Sequence, residues 1–241
     1  MLSDAHSHLS DFAERLLADA PVRTVFSCAT PEECRCAAAL AERFDYVHTS
    51  CGIHPWYVTD DSWDTMRPWL EQATVIGEIG LDSVWCSSDP ALQRQLFERQ
   101  LAFACERQRP VVLHTKGQEG EVLAMIRHYP NTYHVHWYSC RDHLDDYLDL
   151  GCYMSVGPFP SLDPAVAAVA AQTPDDRLLI ETDGIDAVRW ASGEERVDYL
   201  QALARIADDI AALRGSRPAA VQQLAADNLL RFLRSGAAPH R

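Results

Sequence analysis

The stretch PVVLHT, residues 110–115, shows in miniature how the chain is built: a short apolar run ending on one chemically capable side chain. Such a run is too short for a helix and reads as a buried strand. Similar strand candidates are Leu2–Ala5, Arg23–Cys28, Tyr46–Cys51, Thr74–Ile79, Thr132–His136, Cys152–Val156 and Leu178–Thr182; with Pro110–His114 they make eight. Helical periodicity fills the intervals, around 10–19, 31–43, 61–72, 89–108, 118–128, 141–150 and 162–172, and two further helices close the chain at 194–214 and 217–234. Strands alternating with helices predict parallel βαβ pairing, and eight of them can close a (β/α)8 TIM barrel. An open doubly wound sheet is the alternative. It would favour a glycine-rich phosphate loop after the first strand, and neither G-x-G-x-x-G nor G-x-x-x-x-G-K-[ST] stands there. The polar residues are also spread over most strand ends rather than gathered at one switch point. The expectation is a single α/β barrel domain over residues 1–241, with helices outside and two C-terminal helices.

Those strand ends carry the candidate chemistry. His6 and His8 follow the first strand, His54 the third in CGIHP, and Glu78 ends the fourth in VIGEIGLD. His114 and His136 end the fifth and sixth, and Asp183 follows the eighth in LLIETDG. In a parallel barrel all these ends face one way, at the face where barrel active sites are built. Alternation on a strand sets Asp4, His6 and His8 on one side, with Asp4 as a partner able to orient a ligating ring. Imidazole and carboxylate donors suit divalent metals from zinc to manganese and magnesium. Taken singly, each residue also fits a hydrogen-bonded interior polar group. His134 reads as structural, His48, His128, His143 and His240 as surface or packing residues, and Glu181 as pointing away from the interior. Their joint occurrence on successive strands is what favours a site.

Composition narrows the partners. The 241 residues carry 21 Lys and Arg against 35 Asp and Glu, a formal charge of −14. This disfavours a general electrostatic grip on nucleic acid, although bound cations can reverse the charge of a local site. The eight cysteines read as reduced thiols of a cytoplasmic chain. Cys34 and Cys36, the one close pair, point to different sides of a helix and do not suggest a zinc site. The chain has no secretory signal pattern and no apolar run approaching the ~20 residues of a membrane span.

Together the motifs DAHSHL (4–9), CGIHPW (51–56), IGEIGLD (76–82), PVVLHTK (110–116), HWYS (136–139), LLIETDG (178–184) and NLLRFL (228–233) resemble the TatD-like metal-dependent hydrolases of the amidohydrolase-type barrel superfamily. The resemblance covers almost the whole chain. It implies two divalent metal ions (Zn, Mg or Mn), one held by His6, His8 and Asp183 and the second by His114 and His136, with Glu78 bridging. It further implies a catalytic Asp183 that accepts a proton from the attacking water, and His54 as a phosphate contact. Lys116 stands where the family often has arginine; it keeps the charge without the bidentate fork. Cys140 and Gly184-Ile185 also depart from the family pattern.

The implied activity is phosphodiester hydrolysis of the TatD deoxyribonuclease type, a 3'-5' exonuclease acting on DNA or a small phosphate ester through a two-metal-activated water. Hydrolysis of an amide or lactone at the same site is the alternative, and a non-catalytic metal-binding scaffold a further one. Neither a membrane nor an obligate protein partner is expected.

Overall fold

The computed structural model describes residues 1–10 and 13–237; His240 lies outside them. Eight parallel strands run in the order β1 to β8: Leu2–Ser7, Val22–Cys28, Val47–Cys51, Val75–Gly80, Val111–His114, Tyr133–Val135, Tyr153–Val156 and Leu178–Ile180. The last returns to the first, where the Asp183 amide donates to the His6 carbonyl at 3.0 Å. This is the (β/α)8 TIM barrel that the strand spacing predicts.

Seven helices follow the first seven strands in turn: α1 Ala13–Asp19, α2 Pro31–Arg43, α3 Ser62–Gln72, α4 Pro90–Glu106, α5 Glu119–Ile126, α6 Leu144–Asp149 and α7 Pro164–Gln172. After β8 come α8 Ile185–Ser192, α9 Tyr199–Arg214 and α10 Pro218–Arg234. The helix α8 was not expected from periodicity. Several helix starts are written locally. Thr30 caps α2 in a reciprocal box with Glu33, while Asp89-Pro90 and Asp163-Pro164 each place an aspartate cap before a proline suited to the first turn.

The main core lies between the strands and the outer helices, and it holds fully buried side chains such as Leu70, Ile76, Leu101 and Leu113. Burying a side chain of this size contributes about 1.5–3 kcal/mol. A second cluster fills the barrel itself: Ala5, Val25, Val75, Val112, Tyr153 and Leu179 meet Leu229 and Phe232 from α10. This helix therefore plugs one end, leaving the strand carboxyl ends as the open mouth.

Two local departures set up the site. The β1–β2 register breaks between Asp4 and Ser7, and the β4–β5 register breaks between Ile76 and Ile79. Gly80 has φ 155°, and a Cβ there would sit against the His114 carbonyl, so only glycine lets β4 come this close to β5. Cys34 is buried, with its thiol 2.8 Å from that of Cys51, whereas Cys36 is exposed; the eight cysteines are free thiols. No helix among the described residues is long and apolar enough to cross a membrane.

Candidate metal centre

Every predicted ligand reaches the mouth. His6 Nε2 lies 3.3 Å from Asp183 Oδ1 and 3.3 Å from Glu78 Oε2. His8 Nε2 is 3.2 Å from the same Asp183 oxygen and 3.9 Å from the same Glu78 oxygen. The other Glu78 oxygen, Oε1, faces a second set: His114 Nδ1 at 2.6 Å, His136 Nε2 at 2.7 Å and His54 Nε2 at 3.4 Å. One carboxylate thus divides its oxygens between two groups of donors.

The donors fit a divalent cation. His6 Nε2 and Asp183 Oδ1 are buried and face one another, yet neither makes a hydrogen bond. Unpaired buried polar atoms are costly, and an ion coordinated by both would satisfy them together. His6, His8 and Asp183 offer ligand atoms all within 4.8 Å of one another. Nitrogen and oxygen donors without a thiolate suit zinc, manganese or magnesium.

Each buried ring is held from behind. Ser27 Oγ lies 3.1 Å from His6 Nδ1, and Asp82 Oδ2 lies 2.8 Å from His114 Nε2. Glu181 Oε1 sits 3.6 Å from His136 Nδ1. The Asp82 carboxylate, an acceptor only, favours the proton on His114 Nε2 and leaves Nδ1 toward Glu78. His54 Nδ1 accepts the Trp56 amide at 3.1 Å, so its proton sits on Nε2, facing the cluster.

Charge around the site follows from the same contacts. Burial alone would push Glu78 up, but His136, His54 and His6 hold it well below the usual carboxylate range. Burial likewise opposes the ionisation of Asp183, and His6 and His8 overcome it and hold the group low. Burial disfavours a charged His6, yet Glu78 and Asp183 raise it to about 9. His136 and His114 are raised against the same desolvation, chiefly by Glu78 for the first and by Asp82 and Glu78 for the second. The carboxylates therefore attract positive charge to this point, and a bound cation displaces those imidazole protons. His54 is lowered by burial and stays neutral.

Two expectations need correction. Glu181 points inward: it is fully buried and accepts from Ser155 Oγ at 2.6 Å. Strand parity continues past β8, so Leu179, which lines the barrel, and Glu181 share a side. Asp4 does not orient an imidazole. Its carboxylate accepts from the His6 and Thr182 amides and from the Thr182 and Tyr199 hydroxyls. The register break in β1 turns Asp4 outward and His6 inward, which simple alternation does not anticipate. Lys116 stands outside the donor cluster, with Nζ 2.9 Å from Ser139 Oγ.

His134 is structural as expected, buried with Nε2 2.6 Å from Ser155 Oγ. Asp82 was missed as a site residue although it closes IGEIGLD. Besides His114 it accepts the Trp56 indole N–H at 2.6 Å and the Val84 and Trp85 amides. Its signal was present: a carboxylate four residues beyond Glu78, just past the strand end.

A parallel barrel whose mouth gathers five histidines and Asp183 around one divided glutamate defines the class of metal-dependent hydrolases. The family model for TatD related DNase matches residues 3–234, and the chain belongs to that family. It is 33% identical over 165 residues to the 3'-5' ssDNA/RNA exonuclease TatD of Dickeya dadantii, a match spanning 63% of this chain and 62%, less than two thirds, of that relative. It is 28% identical to the uncharacterized metal-dependent hydrolase YcfH of Escherichia coli K12, over 96% of this chain and 95% of the other. The crystal structure of YjjV, a TatD homologue from Escherichia coli K12, shares the fold with a TM-score of 0.81 at 24% identity, covering 96% and 97% of the two chains.

Proposed function

We propose that the chain is a two-metal phosphodiesterase that removes nucleotides from the 3' end of single-stranded DNA. The carrying observation is the division of Glu78, with Oε2 toward His6 and His8 and Oε1 toward His114, His136 and His54. Two adjoining donor sets sharing one carboxylate suit an in-line displacement, in which both the attacking and the leaving oxygen need stabilising. Family membership and the exonuclease name of the Dickeya relative support the substrate class.

In this reading His6, His8 and Asp183 would hold one ion and His114 and His136 the second, with a Glu78 oxygen available to each. Divalent ions there supply Lewis acidity toward a phosphoryl oxygen and make water acidic enough to attack at neutral pH. Asp183, ionised, would hold the first ion through Oδ1, the oxygen facing His6 and His8, and would offer its other oxygen to take the proton of the attacking water. His54 presents its Nε2–H to a phosphoryl oxygen, and Lys116 adds positive charge at the rim. The eight free thiols suit a reducing cytoplasm.

Asp183→Asn tests the assignment. Assayed with Mg2+ or Mn2+ on 3'-labelled oligonucleotides, it is expected to lose about 10²–10⁴-fold in kcat, the usual worth of a positioned general base. A wild-type rate from metal-loaded variant protein would remove Asp183 from the chemistry. Turnover of amides or lactones in place of phosphodiesters would reject the substrate class.

A further inference from the structure

Around the mouth, outside the donor cluster, three tryptophans from distant parts of the sequence meet. Trp85 follows β4, Trp137 follows β6, and Trp190 lies on α8. The Trp85 and Trp190 rings stand 5.9 Å apart at 89°, and the Trp137 and Trp190 rings 6.3 Å apart at 75°. Trp85 and Trp190 are 53% and 69% exposed, among the most exposed large apolar side chains of the described residues. Edge-to-face contact does not cover both faces of each ring, so flat surface is left for a further ring.

This cluster is tied to the donors. Trp137 directly follows His136. The Trp85 amide donates at 2.8 Å to Asp82 Oδ1, and the other Asp82 oxygen holds His114. The Trp137 indole lies over Gly157, where a Cβ would come 2.6 Å from the ring, so this approach requires glycine. Lys116 Nζ stands 5.8 Å from the centre of the Trp85 ring, placing a cation beside the indoles.

We infer that Trp85, Trp137 and Trp190 form a stacking platform for an unpaired nucleobase of the nucleotide chain entering the site, with Lys116 beside its phosphate. The inference rests on the phosphodiesterase reading above. The overall charge of −14 argues for it: a chain this acidic gains little from general attraction to a polyanion, so affinity must come from local contacts. Stacking on aromatic side chains is such a contact, and it tolerates any base sequence. A platform of this kind favours single strands, because a base inside a duplex is stacked on both faces.

The test compares wild type with a Trp85→Ala/Trp190→Ala double variant, both metal-loaded, on a thymidine oligomer and on an otherwise identical oligomer with abasic 3'-terminal residues. Wild type is expected to prefer the base-bearing oligomer by about tenfold or more in kcat/KM, mainly through KM, as the worth of one stacked base implies. The variant loses the preference while keeping its abasic rate, and Trp190→Tyr restores most of it. Equal wild-type rates on both oligomers, or equal losses on both in the variant, would overturn the platform. Tryptophan fluorescence quenching by a cleavage-resistant phosphorothioate thymidine oligomer, but not by its abasic counterpart, reads binding separately. Quenching without hydrolysis of any phosphodiester would uphold the platform and reject the phosphodiesterase reading; absence of base-dependent quenching would reject the platform.

Discussion

Asp82 shows how much of this site depends on a residue that has no place in a ligand roll. Its Oδ2 accepts a hydrogen bond from His114 Nε2 and so turns Nδ1 toward Glu78. In Asp82→Asn the amide offers a weaker acceptor or a donor facing a donor, and the ring loses its fixed tautomer. Metal affinity at the His114 side should fall about 10- to 100-fold, measurable by competition with a chromogenic chelator. Unchanged affinity would mean that packing alone orients His114. The donor side chains that meet at the mouth were legible in the sequence because each stands at or just past the end of an apolar run. Asp82 and Glu181 are harder to assign: one stands in a loop whose path sequence does not reveal, and the other lies just past the apolar run of β8, where only strand parity with Leu179 turns it inward.

At the scale of elements, the strands and outer helices followed from alternating patterns and from cap signatures such as Asp89-Pro90. The break in β1 was not legible, because a register shift depends on contacts with β2 and β8 that are remote in sequence. Asp4 anchors that break by joining β1 to the end of β8 and to α9. Burial pushes its carboxyl up to about 6, and the Thr182 and Tyr199 contacts only partly offset this. Asp4→Ala strands four buried donors, and we expect a loss of about 3 kcal/mol in unfolding free energy. The check is urea denaturation, where the midpoint should drop with an unchanged slope. A midpoint equal to wild type would show that the β1 break holds without this carboxylate. The short α8, carrying Trp190, also went unanticipated; eight residues leave too little periodicity to detect.

Over the whole molecule, the barrel was predicted by strand number and by the spread of polar strand ends, and the fold gathers these across nearly the full chain. Because β1, β4, β5, β6 and the end of β8 all contribute donors, metal binding couples to global stability. Chelating a metal present at about 100 times its dissociation constant should cost about 2.7 kcal/mol and lower Tm by roughly 5–10 °C. A Tm indifferent to chelation would argue that the donors do not bind metal in the folded state.

The central claim is that Glu78 joins two metal positions. Anomalous diffraction from crystals soaked in Mn2+ tests it most directly. We predict two peaks, one among His6, His8 and Asp183 and one beside His114 and His136, with a Glu78 oxygen facing each. A single peak at saturating Mn2+, or two peaks that do not share Glu78, would contradict the account.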